Sequence, residues 1–259
     1  MPIRHAALTA FAVVAFALVY LPIGLVVLTS FSAAEISSFP IKAFTLRWYA
    51  DLAESRRTLD SLWTSLLVAG PATVAATAVG VLAALPLVRY EFPGKRLFLA
   101  LMTMPMLAPG IILGVSMLLF IRSIGFTTGY LAILLGHTVL AMPYCTFIVM
   151  ASLARFDRTL EDAARGLGAG ELSVFFRVTL PGISAGVIGA ALFAFTISIG
   201  EFIVTFFLTS AGTTTLPVRI YSIVRVGITP EINAISSLIL LVTLISAVAG
   251  VYVGLARRR

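Results

Sequence analysis

Charge is scarce in this chain. Asp, Glu, Lys and Arg make up 11% of its 259 residues, where a soluble domain carries about 25%. That excludes a water-soluble globule. Lysine is scarcer still, with Lys42 and Lys95 alone. Neither lies in G-x-x-x-x-G-K-[ST], so a phosphate-cradling loop is missing and an ATP-driven step would need ATP bound on a separate subunit. The single cysteine, Cys145, excludes an internal disulfide and a Cys-based metal site. Set in an apolar run, it is expected to be a small buried hydrophobe. The only histidines are His5 and His137, and H-E-x-x-H does not occur. No cofactor or metal bound by this chain is expected.

What the chain has in quantity is apolar sequence: 60% hydrophobic residues and a mean hydropathy of +1.08. An uncharged run from Ala6 to Phe31 exceeds the 7–15 apolar residues of a signal peptide and is long enough for about 30 Å of hydrocarbon. It is expected to be a retained first helix. Further runs predict helices over Ser61–Val88, Leu97–Ile121, within Ser123–Ala154, from Gly182 to about Thr209, and over Ile232–Leu255. The stretch Phe44–Leu52 mixes Trp48 and Tyr49 with charge, which suits a helix at a membrane–water interface. The expectation is an all-α polytopic membrane protein of six transmembrane helices in one domain, 1–259, with lipid around it.

A net charge of +7 would suggest nucleic acid in a soluble protein. Here Lys and Arg cluster beside the spans, and the charge reads as orientation, with no nucleic-acid partner. Six helices place Arg4, the 89–96 turn, the 155–181 loop and Arg257–Arg259 on one side, with eleven Lys and Arg residues. The other side holds seven, including Arg47, Arg122, Arg219 and Arg225. The positive-inside rule then puts both termini in the cytoplasm. Interior prolines such as Pro71, Pro105, Pro109 and Pro143 free backbone carbonyls and mark kinks near pathways. Gly110 and Gly114 stand at the spacing that lets helices approach closely.

The longest dense run of charge lies from Arg155 to Pro181. Asp157 can cap a helix on which Leu160, Ala163, Ala164 and Leu167 share a face. Gly166 or Gly168 can end it. A second short helix can start near Gly170 and Glu171, with Leu172, Phe175 and Phe176 on one side, and stop at Pro181. Two readings stand open: a solvated connection, or a surface awaiting a partner.

Asp162-Ala163-Ala164, Gly168 and Val178-Thr179-Leu180-Pro181 resemble, at every spacing, the Glu-Ala-Ala loop of ABC importer permeases. Asp162 stands where that family usually has Glu, and Glu161 precedes it. The resemblance implies a type I importer permease of the bacterial inner membrane, without enzymatic activity of its own. Its partners would be ATPase subunits, a second permease and a periplasmic substrate-binding protein. Glu161, Asp162, Ala163, Ala164, Gly168, Leu180 and Pro181 would form the ATPase-coupling site, in the cytoplasmic loop 155–181.

Three isolated polar residues carry further readings. Glu201 is the one acid well inside an apolar span, where burying an unpaired carboxylate costs about 2.5–3.5 kcal/mol on insertion scales. It is expected either to face a translocation path or to pair with another polar group. His137 is a hydrogen-bonding residue between helices, or a second path candidate. Gly182-Ile183-Ser184-Ala185-Gly186 fits G-x-S-x-G, which leaves a membrane-embedded serine hydrolase as an alternative, with His137 or His5 as base.

The resemblance extends along the chain. Gly136-His137-Thr138 with Met142-Pro143-Tyr144, and Leu216–Ala234, look like permeases of spermidine/putrescine importers. This implies a small polar, polyamine-like cation as solute. Those relatives often have two neighbouring acids in the fifth helix, where this chain has Gly200-Glu201.

Overall fold

The computed structural model describes residues 2–34, 40–225 and 230–256, with the side chains of 2–7, 251 and 253–256 left aside. The charges of Arg4 and Arg257–Arg259, the His5 ring, and residues 226–229 of the resembling segment therefore lie outside the description.

Thirteen α-helices follow one another among the described residues: α1 (Pro2–Thr29), α2 (Arg47–Glu54), α3 (Arg56–Arg89), α4 (Lys95–Leu107), α5 (Gly110–Ser123), α6 (Tyr130–Leu153), α7 (Thr159–Gly166) and α8 (Glu171–Val174). A π-helical turn, Phe175–Thr179, comes next. Then come α9 (Leu180–Gly182), α10 (Ser184–Gly200), α11 (Ile203–Leu208), α12 (Leu216–Val224) and α13 (Pro230–Ala256). Four helices are long and apolar enough to cross a membrane, or six spans if each of two bent pairs is one. The chain is a multi-pass, all-α membrane protein.

Proline explains the largest departure from a straight third span. α4 and α5 meet at a 110° bend. Pro109 has no N–H to donate and forces the residue before it out of the helical region; Ala108 is accordingly extended, at ψ 134°. The fifth span is also broken. Gly182 and Ser184 flank a 72° bend, and α10 ends at Glu201, which is extended at ψ 120°.

The chain divides into two compact units, Met1–Asp60 with Arg219–Leu241, and Ser61–Val218 with Val242–Arg259. In the first, Trp48 is buried and its indole N–H donates to Ser32 O at 2.7 Å. The Tyr49 and Ser30 hydroxyls lie 2.7 Å apart, and Asn233 donates to the Thr29 hydroxyl at 3.0 Å. The helix expected at a membrane–water interface packs its indole against the chain through the bond to Ser32 O. Most of α1 is uncovered, with Phe11, Phe16 and Leu18 exposed, a surface suited to lipid rather than water.

The second unit packs through small residues. Ala76, Val81 and Ala84 of α3, Ala141, Cys145 and Val149 of α6, and Ala190 and Ala194 of α10 form one buried cluster. Small side chains let the helix backbones approach, which is how helices associate where lipid is as apolar as leucine. Cys145 is fully buried there, its thiol donating to Ala190 O at 3.5 Å. A second cluster joins Val68, Leu113, Ile121, Ile133, Val204 and Leu208. A Cβ on Gly114 would sit 2.6 Å from Phe207 Cδ2, and one on Gly110 3.2 Å from Ile203 Cδ1. The two glycines form the seat of α11.

Candidate functional site

The 155–181 loop is built largely by local rules. Asp157 Oδ1 accepts the Thr159 N–H at 2.9 Å, and that bond holds its carboxyl below the usual range. Glu161 and Asp162 occupy the first turn of α7 and Arg165 the last, both complementing the helix dipole. Gly168 then adopts φ +88°. Its N–H reaches Arg165 O at 2.9 Å, and the Ala169 N–H reaches Ala164 O at 3.0 Å. These two bonds make a Schellman cap, which needs a left-handed residue at this place.

Arg165 ties α7 to α8. Its guanidinium donates to Glu171 Oε1 and Oε2 at 2.8 and 3.2 Å and to Asp162 Oδ1 at 2.9 Å. The Glu171 bonds raise the guanidinium's pKa, and Arg165 lowers that of Glu171. All three groups remain open to solvent, so this is an exposed staple of modest strength.

The apolar residues expected to form two stripes are largely uncovered. Leu167 exposes 91% of its surface, and Leu160, Leu172 and Phe176 are exposed too. Ala163 is open and Ala164 half-buried. Phe175 turns inward against the alanine-lined cluster. Among the motif residues, Asp162, Gly168 and Pro181 are exposed. Leu180 borders an apolar cavity of about 430 Å³ beside Val74, Val81 and Val187.

Glu161 points the other way. Its carboxylate is buried and accepts Arg89 Nη2 at 2.9 Å and the Thr179 hydroxyl at 2.7 Å. Arg89 ends α3, so the ion pair fastens α7 to the end of α3. Neither Arg89 nor Thr179 stands out in the sequence as a site residue. The available signal was a cation at the end of an apolar run and a hydroxyl one residue before Leu180-Pro181.

A second polar cluster surrounds the break in the fifth span. His137 is 1% exposed. Its Nδ1 and Nε2 lie 2.7 Å from the hydroxyls of Ser198 and Thr205. Thr205 spends its hydroxyl hydrogen on Glu201 O at 3.1 Å, so it accepts from Nε2–H, and Nδ1 accepts from Ser198. One imidazole thus clasps both sides of the break. Glu201 is partly exposed, and its Oε1 accepts the Val204 N–H at 2.9 Å, capping α11. Of the two path candidates, His137 is enclosed within the chain and only Glu201 has an open side.

Among the described residues the serine-hydrolase constellation is not assembled. Ser184 begins a helix after another helix, without a preceding strand, and its hydroxyl donates to Pro181 O at 2.6 Å. Both His137 nitrogens are engaged by Ser198 and Thr205, not by Ser184. The elbow glycines serve close packing: a Cβ on Gly182 would strike the Phe156 ring, and one on Gly186 the Ser152 side chain.

Comparison with known proteins shows the family. Residues 76–259 match the family described as "Binding-protein-dependent transport system inner membrane component". The putrescine transport system permease protein PotI of Escherichia coli (strain K12) is 34% identical over 232 residues, 87% of this chain and 82% of that protein. The spermidine/putrescine transport system permease protein PotC of Haemophilus influenzae is 32% identical over 235 residues, 91% of each. In fold, the chain is similar to one from a bacterial ABC transporter involved in the import of alginate. The TM-score is 0.68 at 15% identity, over 99% of this chain and 95% of that one. A helical multi-pass architecture, the loop spacing and these matches converge: the chain belongs to the family of inner membrane components of binding-protein-dependent transport systems, with a type I ABC importer permease fold.

Proposed function

We propose that this chain is the permease of an ATP-driven importer for a small polyamine-like cation, and that its 155–181 loop docks on a separate ATPase subunit. The observation that carries the reading is a set of uncovered apolar side chains: Leu160 and Leu167, outside every candidate span, and Leu172 and Phe176 in the segment that follows. Burying such a side chain is worth about 1.5–3 kcal/mol. The Schellman cap and the Arg165 staple hold the set in place before any partner arrives, which lowers the ordering cost of docking.

The polyamine class rests on the two relatives, whose names specify putrescine and spermidine transport. Glu201 supports it chemically. A carboxylate with one oxygen in a cap and an open side can offset part of what an ammonium loses on leaving water. A weak site suits passage, since tight binding would slow release. A second permease, a periplasmic binding protein and ATP on the ATPase complete the assembly. Both termini and the docking loop face the cytoplasm, where ATP is found. ATP-driven closure of the ATPase pair then shifts the permeases between inward- and outward-facing states.

The test is Leu167→Asp, which places a charge on the most exposed apolar side chain of the set and touches nothing in the core. The variant should insert at normal levels, lose the co-purifying ATPase and stop uptake of radiolabelled putrescine. Retained ATPase and normal uptake would refute the docking surface. Docking without putrescine uptake by the wild-type assembly would refute the solute class alone.

A further inference from the structure

Arg89 is the last residue of α3, and its guanidinium turns into the protein instead of out to water. Its side chain and that of Glu161 are each 7% exposed, at an N–O distance of 2.9 Å. Glu161 Oε1 also accepts the Thr179 hydroxyl at 2.7 Å. The guanidinium lies 5.8 Å from the Phe156 ring centre, and its Nε is buried with no hydrogen-bond partner among the described residues. Three elements therefore meet at one carboxylate oxygen: the end of α3, the first turn of α7, and the π turn Phe175–Thr179. The π turn contributes the geometry. The extra residue in the turn alters which side chains face α7, and it brings Thr179 beneath Glu161, with its hydroxyl 3.5 Å from Val174 O, five residues back.

α7 thus has two faces. Leu160, and Leu167 just past the helix end, are uncovered, while Glu161 is fixed inward. We infer that Arg89, Glu161 and Thr179 form the joint through which movement of the docking loop reaches the second span, with Arg89 and Glu161 as positioning residues that stay paired through the transport cycle. The inference rests on the docking reading given above. Parting the two groups in place would leave a buried, unpaired charge, which is strongly unfavourable. Pulling on α7 therefore moves the end of α3 before it opens the pair. The exposed Arg165–Glu171 staple gives no such constraint, because either of its groups can be re-solvated when they part.

The experiment uses the whole complex, purified with its ATPase, in a Cys145→Ser background. Spin labels at Leu82→Cys on α3 and Arg158→Cys ahead of α7 report the distance between span and loop, without nucleotide and with ATP trapped. In the otherwise wild-type permease the distance should not change on ATP binding. In Glu161→Gln and in Arg89→Met the ATPase should still co-purify, but ATP should now shift or broaden the distance distribution as the loop moves alone. The swapped pair Arg89→Glu/Glu161→Arg should restore the fixed distance. An unchanged distance in both single variants would overturn the inference, as would an ATP-driven change in the wild-type pair. Loss of the ATPase from both single variants would assign the pair to folding and overturn it too. The docking reading fails separately, if Leu167→Asp retains its ATPase.

Discussion

Gly166 and Gly168 stand two residues apart, and the same substitution should act on them with opposite sign. A Cβ at either position meets no atom within 4 Å, so packing contributes nothing and only the backbone decides. Gly168 sits at φ +88°, where an L side chain costs about 1–2 kcal/mol. Gly166 is the last residue of α7, where Ala in place of Gly gains up to about 0.5–1 kcal/mol. Gly168→Ala therefore weakens the Schellman cap, frees the Ala164 and Arg165 carbonyls, and lowers the fraction of loops that are ready to dock. One or two kcal/mol corresponds to a factor of about 5–30 in that equilibrium. Titrating detergent-solubilised permease with its ATPase should show Gly168→Ala weakened by up to that factor, Gly166→Ala unchanged or slightly tighter, and Gly168→Asn in between, since Asn tolerates the left-handed region better than other non-glycine residues. Equal affinities for the two alanine variants, or a larger loss at Gly166, would refute the capping argument.

Glu201→Gln keeps an oxygen that can cap Val204 and removes the charge, so melting temperature should hold while putrescine uptake slows. Normal uptake would exclude a path role. Glu201→Ala removes the cap as well and should cost about 1 kcal/mol of stability, seen as a lower melting temperature. Gly114→Ala puts a Cβ 2.6 Å from the Phe207 ring and should destabilise by about 1–3 kcal/mol; an unchanged melting temperature would show that α5 and α11 are not closely seated. For orientation, Asp162→Cys in a Cys145→Ser background should react with an impermeant thiol reagent only from the cytoplasmic side. Labelling from the outside of intact cells would invert the topology.

The amino-acid sequence alone determines whatever depends on neighbours along the chain. Low charge and long unbroken apolar runs specify membrane helices, because a run of about 20 apolar residues satisfies its own backbone in lipid as a helix, whereas barrel strands are shorter and alternate. Asp157, the apolar spacing of Leu160 to Leu167, and Gly168 specify a capped helix, because each bond of that cap closes within six residues. Pro109 marks a break, though its 110° angle depends on what α4 and α5 pack against. The tertiary structure alone decides the directions. Glu161 and Asp162 are adjacent carboxylates, and the resemblance draws attention to Asp162. Which of them is buried depends on where Arg89, 72 residues away, meets α7. Trp48 suits an interface by composition, but the carbonyl of Ser32 turns its indole inward. His137 has two nitrogens that suit many partners. Ser198 and Thr205, 61 and 68 residues on, become those partners only when α10 breaks at Glu201. A helix cap is a short-range equilibrium that a sequence pattern can state. A buried charge finds its counter-charge only after the chain has folded back, and that choice lies in the packing.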